Sequence, residues 1–420
     1  MEMHAFGRLI PMAEAQRRLL RVARPLPRVE AVPVTEGFGR VAARRVVAPR
    51  PVPAFARATW DGYAVRAVDT RAARRASPVR LRVVGDVYAE GGFARAHRAG
   101  EAVAIATGGA VPRGADGVII FEEVERDGAA VSVPHPVARG DRIAPAGDDF
   151  RRGTTLVRSG EVLGPAALGA LAACGYATVV CYARPVVSIL PNGNELLLPG
   201  APPKEGGIYE SNNVTLSAIV TAAGGIARAL PPLPDDPRRI EAGLRRALAT
   251  SDLVLATGGS SVGERDLLPR VLPRVGRLLF HGIAVRPGKP TLAAAARGKL
   301  ILGLPGHPSS CLANSYWLVL PLLRKLAHLP GPAWQDATVP LGRGVLAPTP
   351  ALATVVPVSL RRGRAYSTYH GSSSITSMSG ARGFVILPPG TSRVRAGDRL
   401  RVHWLRPPLG PDLAPAAGNR

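Results

Sequence analysis

A chain of 420 residues exceeds what one hydrophobic core usually serves, and with 46% apolar and 20% charged residues it is neither a mini-protein nor a disordered polymer. The net charge is +24, but only four of the 54 cationic side chains are lysine, the arginines are dispersed and aromatics make up 5%. This favours attraction of small anions over a nucleic-acid surface. No apolar run approaches the ~18 residues of a membrane span and no leader-like apolar segment follows Glu2, His4 and Arg8, so a cytoplasmic protein without membrane contact is expected.

Residues 12–23 set Leu19, Leu20 and Ala23 against Arg17, Arg18 and Arg21, the pattern of an amphipathic helix. From Val52 to about Val137, short β-branched runs (Val79–Val84, Ala102–Ile105, Val118–Phe121, Val131–Val133) alternate with Gly and Pro and predict an inserted, mostly β domain over 51–140. A helix at 165–173 ended by Gly175 and a strand at Ala177–Cys181 resume the first segment, giving a discontinuous helical, linking domain from 4–50 and 141–183. Residues 184–331 then alternate strand and helix signals as an α/β, doubly wound, mostly parallel sheet requires. Strands are expected at Val186–Leu190, Leu253–Ala256, Arg277–Phe280 and Lys299–Gly303. Between them a helix with Leu216, Ile219, Val220 and Ala223, capped by Ser211 or Asn212, is stopped by Gly224; a second, capped by Asp235 or Asp236, has Pro237 in its first turn. A third runs from Ser309 through Leu326. Residues 336–408 read as a C-terminal β domain, and 409–420 as a disordered tail. Cys174, Cys181 and Cys311 are odd in number and lack metal-ligand spacing, which points to a reducing compartment; the histidines, His281 and His328 among them, are isolated and show no zinc pattern.

Ligands of open parallel sheets bind beyond the carboxyl ends of the strands, and three loops fall there. They are ProAsnGlyAsnGluLeu at 191–196, ThrGlyGlySerSerValGlyGluArgAsp at 257–266 and LeuProGlyHisProSerSer at 304–310. Glycine pairs let a backbone approach phosphate, and adjacent hydroxyls add donors without bulk. One such loop is an ordinary tight turn; three on one sheet edge favour a site. ArgProGlyLysPro at 286–290 holds two cations on a proline-braced turn, suited to a tetrahedral oxyanion. AlaThrTrpAspGlyTyrAla at 58–64 and the glycine-rich 106–118 are weaker fragments, each also readable as a turn.

Taken in order, these motifs, together with IleTyrGluSerAsn at 208–212, resemble the MoeA-type molybdenum insertases, the family that includes the E domain of gephyrin; the similarity spans Phe6 to Leu405. The resemblance implies an elongated, multidomain homodimer whose cleft lies between the α/β domain of one subunit and the Asp61-bearing module of the other. It also implies Mg2+-dependent transfer of molybdate onto adenylylated molybdopterin with release of AMP. By matched position, Asp61, Glu195, Asp235 and Asp266 are the expected metal ligands. Asp61, Glu195, Asp266 and Lys289 are expected to be catalytic, with Asp149 and Thr107 as weaker members. Arg286, Lys289, Pro290 and Ser310, with Ser372 or Ser373, match the molybdate site, and Gly258, Gly259, Ser260, Ser261, Gly263, Pro305 and Gly306 the pterin and its phosphate. The chain departs from the family's usual residues at Asn192 (Thr), Asn194 (Asp), Arg286 (Lys), His307 (Asn), Ser309 (Val) and Trp60 (Met), and an arginine of the last domain is matched only by Arg361 or Arg362.

Two alternatives are a diverged, non-catalytic dimeric scaffold and, within enzymes, a molybdopterin adenylyltransferase, the enzyme of the preceding step and also a candidate partner. The retained acidic residues and Lys289 argue against the first, the extra β domains and the Asp61 motif against the second. Nucleic-acid binding finds no groove-reading motif.

Overall fold

The computed structural model describes residues 8–263 and 266–405. The tail expected at 409–420, and Glu264 and Arg265 of the second glycine loop, lie outside the described residues. Among the described residues the chain forms two compact units, one drawn from Ala31–Phe38 and Ala42–Val180, the other from the remainder.

The first unit carries a six-stranded sheet in the order Gly117–Ile120, Gly62–Val65, Glu101–Ile105, Val79–Val87, Ala130–Val133, Glu125–Asp127. All neighbours are antiparallel except Val79–Val87 with Glu101–Ile105. Tyr63, Val65, Leu81, Ala102 and Ile119 pack in one cluster and Ala64, Val103, Ile105 and Val118 in another, so the two-residue period of the strands feeds a core on each face of the sheet. Phe121, expected to end a strand, instead opens a 3-10 turn, Phe121–Glu123. Pro165–Ala173 is helical, with proline in the first turn where its missing N–H costs nothing.

In the second unit the order is β1 (Val186–Pro191), α1 (Asn212–Ala222), β2 (Ile226–Ala229), α2 (Pro237–Thr250), β3 (Leu253–Thr257), α3 (Leu268–Val275), β4 (Arg277–His281), β5 (Leu292–Ala296), β6 (Lys299–Leu304) and α4 (Pro308–Asn314). The sheet runs β2-β1-β3-β6-β5-β4. Its first four strands are parallel, and β5 is antiparallel to both neighbours, closing the sheet with a hairpin edge that the rhythm of the sequence did not announce. Every residue of β3 is buried, as a strand covered on both faces demands. Leu253 and Leu255 pack with Val187, Ile189, Leu300 and Leu302 against α1, the turns after α4 and the N-terminal helix Met12–Val22. Val254 and Ala256 pack with Leu190 and Ile301 against Ile240, Leu244 and Leu248 of α2 and Val271 and Leu272 of α3. Burying one such leucine or valine is worth about 1.5–3 kcal/mol, which fixes register, since a one-residue slip would exchange the two faces.

Helix α2 starts as expected, with Asp236 accepting from Arg239 N at 2.8 Å. Neither Ser211 nor Asn212 caps α1 through its side chain; Glu210 does so instead, its Oε1 accepting from Asn212 N at 2.9 Å and its Oε2 from Asn213 N at 2.7 Å. The helix expected through Leu326 continues past α4 as a π segment, Ser315–Val319, and a further α-helix, Leu320–Leu326. The short strand Val285–Arg286 leaves the α/β sheet to run parallel to Ala353–Arg361, at the edge of a C-terminal sheet that also holds Gly383–Leu387, Arg399–Trp404 and Gln335–Pro340. No helix among the described residues is long and apolar enough to cross a membrane, and the three cysteines are free and buried.

Candidate functional site

The three glycine loops leave the carboxyl ends of β1, β3 and β6, which lie side by side in the sheet. Their backbones touch. Asn192 N donates to Thr257 O at 2.8 Å, and its buried side-chain amide donates to the same oxygen at 3.2 Å. Gly258 has φ +82, and a Cβ there would stand 2.3 Å from Asn192 O; at Gly306 a Cβ would meet Gly258 Cα at 3.4 Å. Asn212, the first residue of α1, donates through Nδ2 to Gly306 O at 2.8 Å. The approach at Gly258 leaves no room for a side chain, whereas the 3.4 Å at Gly306 is ordinary contact.

Between them lies a cavity of about 740 Å³, within the range for a drug-sized or nucleotide-sized ligand. Four carboxylates line it, those of Glu195, Glu210, Asp235 and Asp266, and no lysine or arginine does so among the described residues, although the chain carries 54 of them. Glu210 is 3% exposed; burial pushes its pKa up, while the two amides at the start of α1 pull it back. Asp235 and Asn194 hold each other: Asn194 N donates to Asp235 Oδ2 at 3.3 Å, and Asp235 N to Asn194 Oδ1 at 3.2 Å. Asp266 accepts from Gly263 N at 2.8 Å, which fixes the end of the second loop. Among the described residues no three Asp, Glu, His or Cys side chains converge as ligands of one metal ion.

Of the residues singled out from sequence, Glu195, Asp235, Gly258, Gly259, Ser260, Ser261, Asp266, Pro290, Pro305, Gly306 and Ser373 line this cavity. Others sit elsewhere. Ser310 is buried within α4, and the Ser372 carbonyl accepts from the Ser309 hydroxyl at 2.9 Å. Lys289 is exposed, one residue from Pro290. Arg286 reaches away with its strand, its Nη1 donating to Thr349 Oγ1 at 2.8 Å, and lines a separate cavity of about 180 Å³ with Pro287, Pro348, Thr354 and Tyr369. Asp61 and Thr107 belong to the other unit, where Asp61 Oδ1 accepts from Thr107 N at 2.6 Å and Thr107 Oγ1 at 3.0 Å; these two bonds lower its pKa. Asp149 is exposed in that unit, and Arg361 and Arg362 are exposed at a hairpin of the C-terminal sheet.

His307, in the third glycine loop, lines the cavity as well, and so do Glu210 and Asn212 of the 208–212 motif, to which the sequence assigned no role of their own. Glu210 had a usable signal, an acidic residue two positions before the first residue of an apolar-periodic helix, where helix amides lack partners.

Three family descriptions cover most of the chain: the MoeA N-terminal region (domain I and II) at residues 10–175, a probable molybdopterin binding domain at 188–325 and the MoeA C-terminal region (domain IV) at 342–405. A molybdopterin molybdenumtransferase of Bacillus subtilis is 33% identical over 406 residues, covering 94% of each chain. Two crystal structures of the molybdopterin biosynthesis MoeA protein from Pyrococcus horikoshii are similar along their whole length. One has a TM-score of 0.83 at 35% identity and covers 95% of this chain and 100% of its own. The other has a TM-score of 0.77 at 29% identity and covers 94% and 100%.

Proposed function

The chain belongs to the MoeA family of molybdopterin molybdenumtransferases, enzymes of molybdenum cofactor biosynthesis, and from that membership we propose that it transfers molybdate onto adenylylated molybdopterin with release of AMP. The observation that carries this reading is the lining of the cavity: glycine-rich backbone at the ends of parallel strands, four carboxylates and, among the described residues, no lysine or arginine. Such a lining suits a phosphate ester that arrives with a hard cation, because backbone amides can cradle phosphate oxygens while carboxylates attract the cation.

The residues fit Mg2+ in donor chemistry. Glu195, Asp235 and Asp266 offer oxygen ligands, and since no three of them converge, phosphate oxygens of the substrate are needed to complete the shell, the common arrangement for this ion. Bound there, Mg2+ would neutralise phosphate charge and polarise the phosphoric anhydride. The protein's own share is to hold the pterin phosphate on the loops of Gly258–Ser261 and Pro305–Gly306, to set Glu195 and Asp266 against the anhydride, and to receive the oxyanion near Lys289, Pro290 and Ser373. Asp61, held ionised by Thr107, is assigned to the same reaction in the cavity of a second subunit of a homodimer. The buried, free thiols support a reducing compartment, the cytoplasm.

The test is to incubate purified protein with adenylylated molybdopterin, Mg2+ and molybdate and to follow AMP. Molybdate-dependent AMP release, abolished by chelation, is expected. AMP release indifferent to molybdate would overturn the assignment, and ATP-dependent formation of adenylylated pterin would replace it with the preceding reaction.

A further inference from the structure

One short helix reaches two of the segments that bound the cavity. Ser309 and Asn314 lie on α4 and are 1% and 0% exposed. The Ser309 hydroxyl points at the carbonyls of Gly371, 3.0 Å away, and Ser372, 2.9 Å away, sharing its single proton between them. At the far end of α4, Asn314 Nδ2 donates to Gly288 O at 2.9 Å and to Thr291 Oγ1 at 2.6 Å, while Thr291 passes its own proton to Gly288 O at 2.9 Å. The amide cannot turn over, because its Oδ1 accepts from the Trp317 indole, a group that can only donate, at 2.9 Å. Gly288 belongs to this fit: a Cβ there would stand 2.3 Å from Asn314 Nδ2. Pro290 lies between the anchored Gly288 and Thr291, and Ser373 follows the anchored Ser372; both line the cavity.

We propose that Ser309 and Asn314 are positioning residues, which through one rigid helix set the spacing between the 288–291 turn and the 371–373 loop and thereby tune the site for its oxyanion. Neither touches the cavity's contents; each acts on a segment that does. The buried network satisfies its donors internally, so it is stiff, and loss of one member leaves others unpaired rather than exposed to water. The inference rests on the molybdenum-transfer reading for the identity of the oxyanion, but the mechanical link stands apart from it.

The experiment compares Ser309→Val with Ser309→Thr, which fill nearly the same volume and differ in the hydroxyl. In the intact protein, KM for molybdate should rise about three- to tenfold in the valine variant, the loss corresponding to one hydrogen bond, while the threonine variant stays closer to wild type. KM for adenylylated molybdopterin should hold within about twofold in both. Hydrogen exchange at 370–374 should quicken in Ser309→Val. Asn314→Asp, which keeps the shape and the indole's acceptor but loses the amide donor, should quicken exchange at 288–291. Equal molybdate KM in the valine and threonine variants overturns the proposal, as does a proportional rise in KM for the pterin or a KM change without any change in exchange. Were wild type to show no molybdate-dependent turnover while the exchange differences persisted, the reaction assignment would fall and the brace would stand.

Discussion

Gly258→Ala is the sharpest test of the way the glycine loops build the cavity. The native φ of +82 already disfavours any side chain, by roughly 1–2 kcal/mol for an L-residue in the left-handed region. The new Cβ would in addition stand 2.3 Å from the Asn192 carbonyl oxygen, an atom of a neighbouring strand's loop with no free rotamer. Relieving that overlap means moving the 191–196 loop and loosening the Asn192 bonds to Thr257, and overpacking of this kind costs about 1–3 kcal/mol. The sum is about 2–5 kcal/mol, against about 1–2 kcal/mol for Gly259→Ala, where φ is +57 but the nearest atom, Leu267 N, stands at an unstrained 3.4 Å. For a cooperative unit of this size, 1 kcal/mol moves the melting temperature by about 2–4 °C, so the two variants should melt several degrees apart, with Gly258→Ala the lower. Ligand affinity should fall further in Gly258→Ala, because the displaced loop carries Glu195. Calorimetry and titration with adenylylated molybdopterin read both quantities. Equal melting temperatures and affinities in the two alanine variants would refute the argument that contact between loop backbones, rather than glycine's freedom alone, shapes the cavity.

Thr107→Val removes one of two bonds that favour ionised Asp61, so the Asp61 pKa should rise toward its ordinary value and the acid limb of the pH–activity profile should move to higher pH; a limb that stays put would release Asp61 from the chemistry. Glu101 is 3% exposed, and hydrogen bonds from Arg95, with the Arg98 amide, hold its pKa down at about 2. Its folded pKa is depressed, so its stabilisation is complete above the ordinary value of 4.5 and fades as pH falls toward 2; Glu101→Gln should lower the unfolding midpoint at neutral pH and flatten the acid dependence in that window, as circular dichroism would register. Mixing inactive Asp61→Asn and Asp266→Asn proteins should restore part of the AMP release if the two groups serve one site from different subunits, since one site of each mixed dimer is then intact. No recovery after verified subunit exchange would assign both residues to the same chain's site.

Much of the α/β frame was legible because its central strands are largely apolar and its helices are bounded by ordinary signals, such as Asp236 and Pro237 before α2. Beyond that, local rules gave way. Leu292–Ala296 is nearly all alanine, a composition that speaks for helix, and becomes a strand only because β6 offers a hairpin partner. Helix α3 hides behind Pro269 and Pro273, tolerable because the helix is one of short, exposed turns whose apolar stripe is buried. At the site, the glycine loops and the acidic residues beside them were readable as motifs. The direction of Arg286 was not, since it depends on a strand pairing with Ala353–Arg361 and a bond to Thr349, contacts more than sixty positions away in sequence.

In β3, neighbouring residues answer to different helices, the odd positions to one side of the sheet and the even positions to the other. A mutation in that strand must therefore suit two independent neighbourhoods at once, and an insertion would ruin both.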